Sequence, residues 1–232
     1  MIDRELTCRA DQVFATSLKL YTAKVKLNPS TTYSPHGVDL QLFSRAMDPT
    51  LPQPEDIRDL KHPVIGYIGT IGPSVDFQLL RFLATERPNW TFLMVGLVST
   101  DISKLSNLPN IRFVGPKPYA LLPNWIKSFD VALYPLRVDR FTVSANPLKI
   151  REYLAAGKPV VSIANLEVEC FSNVLSIGRC TSDFLAMIDD ALRTDDDLKR
   201  AARIQAVSGM SWKRVGQQAL EIVERRMLEC KR

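Results

Sequence analysis

From Pro63 onward, short apolar runs alternate with stretches whose apolar residues recur at helical spacing. Val64-Ile65-Gly66-Tyr67-Ile68 is rich in strand-favouring residues and ends in Gly69-Thr70-Ile71-Gly72-Pro73. Phe77, Leu80, Leu83 and Ala84 then repeat with the period of one helix face. Further strands are expected at Trp90 to Val95, Asn110 to Val114, Asp130 to Tyr134 and Lys158 to Ile163, with a short sixth at Val174 to Ile177. Helices are expected from Leu121 to Phe129 and from Pro147 to Ala156. Strands separated by helices pair in parallel through right-handed crossovers. Short, wholly apolar strands imply helices on both faces. The pattern predicts an α/β fold, an open, doubly wound, Rossmann-like parallel sheet whose ligands sit beyond the C-terminal strand ends.

The two ends of the chain read differently. Thr181-Ser182-Asp183 can cap a helix running to about Leu192, and a second passes through Ala201 and Ile204 to a break at Gly209. Ser211 caps a last amphipathic helix carrying Val215, Ala219, Ile222, Val223 and Met227. Near the start, Val13 to Ser17 is strand-like and Leu18 to Leu27 helical, and Thr31 to Ser34 leads into Pro35-His36-Gly37-Val38-Asp39. This β-α-β fragment has too few partners for a core of its own, and Pro49, Pro52 and Pro54 mark a stiff linker. Residues 1–50 are therefore expected to be the remnant of a second domain plus linker, and residues 51–232 the main domain.

The stretch Ser144 to Pro159 carries the clearest chemistry. Asn146 suits an N-cap, Pro147 the first helical position and Gly157 the position just past the helix end. The start of such a helix offers free N–H groups and a positive dipole end, a ready site for phosphate. Lys149 lies in the first turn, where a cation is unfavourable without an anion, and Glu152 follows on the same side. A lysine for phosphate and a carboxylate for ribose hydroxyls would suit a nucleoside diphosphate. The plainer alternative is a surface ion pair between the two. The Gly66–Gly72 loop resembles a dinucleotide loop only loosely, because its first spacing differs and no acidic residue is clearly placed on the second strand. Its glycines either admit a ligand or serve a turn. His36 is either a ligand contact or structural; Asp130 and Asp139 are possible acids, although Asp130 is better placed to close a helix-to-strand connection.

Composition narrows the classes. Thirty basic against 25 acidic residues give a formal net charge of +5, which suits a phosphate-bearing ligand or an anionic membrane surface but equally a merely solvated surface. The positive charge is scattered apart from Arg225, Arg226, Lys231 and Arg232, which argues against nucleic acid. No apolar run reaches membrane-spanning length, and the charged opening Met1 to Glu5 is unlike a secretory signal, so a cytoplasmic location is expected. Cys8, Cys170, Cys180 and Cys230 are far apart, with His36 and His62 the only histidines, so free thiols are expected and no zinc site.

Taken as an ordered set, these segments resemble the retaining glycosyltransferases of the large family 4 group, which have the GT-B architecture. Asn146-Pro147-Leu148-Lys149 through Glu152-Tyr153-Leu154-Ala155-Ala156-Gly157-Lys158-Pro159-Val160-Val161 is the strongest match. Gly66-Tyr67-Ile68-Gly69, Phe113-Val114-Gly115 and Phe129-Asp130-Val131 stand in the expected order, and Pro35-His36-Gly37-Val38-Asp39 with Phe43 resembles the interdomain junction. The likeness to cell-surface polysaccharide or teichuronic-acid-type transferases is greatest. It implies that the chain holds the end of an acceptor-side domain and essentially all of the donor-binding one, with the last helix crossing back toward the first segment.

The resemblance also implies roles. Glu152 matches the second glutamate of the family's paired-glutamate motif, which usually holds the donor ribose. The backbone of Asn146, Pro147 and Leu148 matches a diphosphate-contacting turn, Gly69 and Thr70 a donor loop, and Gly115, Lys117 and Tyr119 border the base pocket. Ser144 stands where the first glutamate would be, and Thr70 and Val75 where many members have an arginine and a lysine; Lys149 could replace that charge. Transfer would be metal-independent, with no tightly bound cofactor and a UDP-, GDP- or dTDP-sugar as substrate. A glycan or lipid-linked acceptor would bind through the absent domain, with the chain cytoplasmic at the inner face of the membrane through peripheral association. Alone, the chain is expected to be nearly inactive. A nucleotide-sugar-binding module or an inactive fragment remains the alternative, while a nicotinamide dehydrogenase is disfavoured by the loop spacing and the tail.

Overall fold

The computed structural model describes residues 2–139 and 142–229. The chain opens with α1 (Ile2–Arg9), β1 (Val13–Ala15), α2 (Leu18–Lys24), β2 (Thr31–Tyr33) and α3 (Leu40–Ser44). Then follow β3 (Val64–Ile68), α4 (Phe77–Glu86), β4 (Thr91–Val95), α5 (Ser103–Ser106), β5 (Ile111–Phe113), α6 (Leu122–Ile126) and β6 (Val131–Tyr134). The remaining elements are α7 (Leu148–Ala155), β7 (Val160–Ile163), α8 (Leu166–Glu169), β8 (Ser176–Gly178), α9 (Thr181–Thr194), α10 (Asp197–Val207) and α11 (Trp212–Glu229). Residues 1, 140, 141 and 230–232, and with them Met1, Cys230, Lys231 and Arg232 of the sequence reading, lie outside the described residues.

Six strands form one parallel sheet in the order β5-β4-β3-β6-β7-β8. Chain order reverses between β3 and β6, so the crevice of a doubly wound sheet opens at their carboxyl ends. The strands are apolar because both faces are covered: all of β3, β6 and β7 is buried. Gly66 in β3 makes room for Phe129, since a Cβ there would fall 2.2 Å from the ring. At the opposite, amino-terminal end of the sheet, Asp130 accepts from Val64 N at 2.6 Å and lies 2.6 Å from His62 Nδ1, tying the starts of β3 and β6 together.

Local signals place the helix ends. Gly157 takes a positive φ of 69°, and the Gly157 and Lys158 amides donate back to Leu154 O and Tyr153 O, closing α7. Three expectations are corrected. The start of α7 is capped not by Asn146 but by the backbone of Pro147, without any side-chain bond, so helix proper begins at Leu148. Asn146 instead meets a buried carboxylate and a guanidinium, which outbid a backbone N–H as partners. The helix expected over 121–129 begins as a tight turn at Tyr119–Leu121 and ends at Ile126. Cys180, not Thr181, caps α9, because Asp183 reaches back to its amide.

β1 and β2 pair in parallel as a separate two-stranded sheet. The proline-bearing segment that follows is docked, not free. The Lys127 ammonium donates to Asp48 O, Pro49 O and Leu51 O at 3.0, 2.7 and 2.6 Å, Asn124 donates to Pro52 O, and Phe43, Ala46, Leu51 and Ile57 are buried. The chain passes between the β1–β2 unit and the sheet at two adjacent places. Val38 N donates to Met210 O at 2.8 Å, and a Cβ on Gly37 would lie 2.7 Å from the Trp212 backbone. Beyond that crossing α11 joins the first segment, with Arg226 donating to Asp11 O and Ser30 Oγ.

One buried contact fastens α7 to the central strand. Tyr153 is fully buried, and its hydroxyl accepts the Ile68 amide at 2.7 Å. Tyr153→Phe leaves that amide without a partner, so we expect a loss of about 1–3 kcal/mol in a urea melt with the slope unchanged.

Candidate functional site

The carboxyl ends of β3, β4 and β5 each run into a glycine of positive φ, Gly69, Gly96 and Gly115. They are linked edge to edge: Gly69 N donates to Val95 O and Gly96 N to Gly115 O, both at 2.9 Å. A Cβ on Gly96 would sit 1.9 Å from Gly69 O, so the close approach of these loops requires its absence. A Cβ on Gly115 would meet nothing within 4 Å, so there the constraint is backbone conformation, with φ 70°. The result is a floor of half-buried glycine backbone beside the switch point. Gly96 was not among the residues singled out from sequence; a glycine closing a strand was its only signal.

α7 supplies the wall above this floor. Lys149 lies across Gly69, whose added Cβ would be 2.3 Å from the lysine Cε. Ile150 N reaches Pro147 O at 3.3 Å, but the Leu148 and Lys149 amides ahead of it have no intrahelical acceptor and no side chain caps the helix start. Glu152, one turn further on, is buried at 4% exposure, and no ion pair within 4.0 Å joins it to Lys149. A solvated surface pair is thereby excluded. Burial holds the Glu152 carboxyl above the usual glutamate range, with Lys149 and the approaching Tyr119 hydroxyl pulling it partly back. Tyr119 is shifted upward in turn, by burial first and then by the Glu152 charge, and its ring packs edge-on against Phe43 at 5.5 Å.

Gly69, Gly115, Tyr119, Lys149 and Glu152 therefore border one region, with Thr70 exposed at the loop after β3. Val75, by contrast, is buried and bridges Leu136. Lys117 is turned elsewhere: its ammonium pairs with Asp56 at 3.2 Å and lies 4.1 Å over the Trp125 ring. Leu148 is half-buried and Pro147 buried at the start of α7. Asp130 lies at the far end of the sheet, and Asp139 exchanges bonds with Thr142 in a local turn. His36 packs against Trp212 at the crossing, with ring centroids 5.9 Å apart. A cavity of 210 Å³ lined by Pro159, Asp195, Lys199 and Arg203 also opens at the amino-terminal end, remote from α7's start.

Among the described residues, no group of three His, Cys, Asp or Glu side chains could hold a metal ion, and no helix is long and apolar enough to cross a membrane. Cys8, Cys170 and Cys180 carry free thiols.

Known proteins share both sequence and fold with this chain. Residues 62–185 match the family described as Glycosyl transferases group 1. The chain is 32% identical over 161 residues to the "Putative teichuronic acid biosynthesis glycosyltransferase TuaH" of Bacillus subtilis (strain 168), a match spanning 67% of this chain and 39% of that one. Anabaena Alr3699/HepE, solved in complex with UDP and glucose, superposes with a TM-score of 0.73 at 17% identity, over 96% of this chain and 66% of its own. The sucrose-phosphate synthase of Thermosynechococcus elongatus gives 0.70 at 19% identity, over 99% of this chain and 61% of its own. The chain thus spans well under half of its curated relative and about two thirds of these solved chains. With the family match covering more than half of its length and the sheet repeated in those structures, the chain belongs to the group 1 glycosyl transferases and carries one half of a GT-B fold.

Proposed function

We propose that this chain binds a nucleotide-sugar donor at the carboxyl ends of β3 to β6 and serves a retaining, metal-independent glycosyl transfer. The observation that carries the reading is Lys149 lying across Gly69, which joins the uncapped start of α7 to the loop after the central strand. On this reading the diphosphate meets the amides of Leu148 and Lys149 beside the turn of Asn146 and Pro147, with the Lys149 ammonium as its counter-charge. Gly69 and Thr70 border the donor, Glu152 accepts from a ribose hydroxyl, and Gly115 and Tyr119 flank the base. Lys117 would have to leave Asp56 to join them.

In the reaction the bond from the anomeric carbon to the diphosphate oxygen breaks. Negative charge collects on the departing phosphate, and fixed dipoles with one lysine stabilise it without a metal. The acceptor oxygen bonds the same face of the sugar, and its proton passes to the leaving phosphate. Residues 1–50 are read as the acceptor-side part, with a glycan or lipid-linked acceptor bound by further structure on that side, at the inner face of a membrane. HepE was solved with UDP, which makes UDP the first nucleotide to try. A nucleotide-sugar-binding module without transfer is the second reading, favoured by Ser144 standing where a family glutamate would be.

Two measurements test these roles. In calorimetric titrations with UDP and uridine, Glu152→Ala should weaken both ligands by roughly 1.5–3 kcal/mol, less what water restores. Lys149→Ala should weaken UDP far more than uridine. Equal UDP affinity in the wild type and both variants overturns the assignment.

The second test reads stability. Because the folded carboxyl of Glu152 stands above its unfolded value, its contribution is most favourable at low pH and is lost as pH rises through the raised value. Removing the charge with Glu152→Gln should therefore raise Tm by a few degrees at pH 8, with the gain shrinking as pH falls toward 4. A Tm lowered at pH 8 would show that the carboxylate supports the fold instead of a ligand.

A further inference from the structure

A buried polar network outside the donor region ends on the turn that presents α7. Glu167 of α8 is 2% exposed, yet its carboxylate takes three donors. Leu18 N reaches Oε1 at 2.5 Å, and Tyr33 Oη and Asn146 Nδ2 reach Oε2 at 2.6 and 2.8 Å. The other end of the Asn146 amide accepts from Arg151, also 2% exposed, which turns its charge toward the same cluster and reaches Pro147 O at 3.5 Å. Next to Glu167, Asn165 donates to Thr142 O and to Ala145 O at 2.5 and 3.2 Å while accepting the Glu167 amide at 2.7 Å. The loop leading into α7 is thus gripped at Thr142, Ala145, Asn146 and Pro147.

Two of the three donors to Glu167 come from the first segment of the chain, from the start of α2 and the end of β2. The third belongs to the residue before the α7 cap. A carboxylate can satisfy all three because it is acceptor-only, with two oxygens. An amide there has a single acceptor oxygen and turns an NH2 group toward donors, so the three bonds cannot all survive. We propose that Glu167 is a positioning residue of the donor site, coupling the placement of the first segment to the orientation of the α7 start through Asn146. This rests on the donor reading above. It goes beyond it in making the geometry of the phosphate-binding turn depend on the partner side of the molecule.

The test is the preference for UDP over uridine, which isolates the diphosphate contribution, measured by titration calorimetry on the full chain. Glu167→Gln should reduce that preference about tenfold and Tyr33→Phe about threefold, the scale of one or two disturbed buried hydrogen bonds. Uridine affinity should stay unchanged. Combining Glu167→Gln with Asn146→Asp moves the carboxylate to the other side of the same contact, where it accepts from both Gln and Arg151, and should restore the preference. Tyr33→Phe removes one part-buried hydroxyl and decides the matter if Glu167→Gln does not fold. A preference kept by the folded variants, or equal loss for UDP and uridine, overturns the coupling while leaving the donor reading in place. A wild-type chain that does not distinguish UDP from uridine overturns the donor reading and this inference together.

Discussion

The architecture around the switch point depends on how closely α7 can approach the end of β3. Two groups set that distance. The Tyr153 hydroxyl holds the Ile68 amide from the helix side, and the missing side chain of Gly69 lets the Lys149 stem pass directly over the strand end. Neither works without the other: a side chain at Gly69 would push the helix away, and without the hydroxyl a buried amide would be left unsatisfied. This contact sets the position of the uncapped helix start and, one turn on, of the buried Glu152. The crevice is open because polar groups at its floor and wall are held by neighbours behind them.

Those neighbours are of two kinds. Under the sheet, packing is apolar, with Phe129, Ile150 and Leu154 fully buried about the central strands. Toward the first segment it is polar, built from Glu167, Asn146, Arg151 and Tyr33. An apolar seam would have been cheaper to bury, but it would have tolerated sliding. Charged, hydrogen-bonded partners resist such sliding, although Arg151 Nε stays buried without a partner of its own. Burial lowers the proton affinity of Arg151 and raises that of Tyr33, the expected marks of ionisable groups held in a dry seam.

How much of this was legible in the sequence follows from the range of the interactions. The strand and helix order of the main sheet was readable because apolar periodicity and glycine punctuation are local. Gly157 ends α7 as its position suggested, through two short-range bonds. The Asn146 cap was misread for the opposite reason: its partner is Glu167, 21 positions away, with Tyr33 from a still more distant segment beside it. The prolines at 49, 52 and 54 read as a stiff linker, and nothing local reveals that Lys127 will gather three of that segment's carbonyls. Glu152 could be read either as a surface partner of Lys149 or as a ligand, since spacing does not report burial. The fold removes the surface reading by burying Glu152 beside Tyr119, from a segment more than thirty residues earlier.

The paired crossing at Gly37–Val38 and Met210–Trp212 has a mechanical meaning. A chain that passes once between two bodies can swivel about its own bonds. Here two passes run side by side, hydrogen-bonded from Val38 to Met210 and packed too tightly at Gly37 for any other residue. Torsion at one pass must be matched by the other, so the pairing resists twisting between the two bodies. With the proline segment fastened to the sheet by Lys127, the chain crosses between them at residues 36–38 and 209–212 and not at the prolines. A glycine set against a tryptophan closes that crossing.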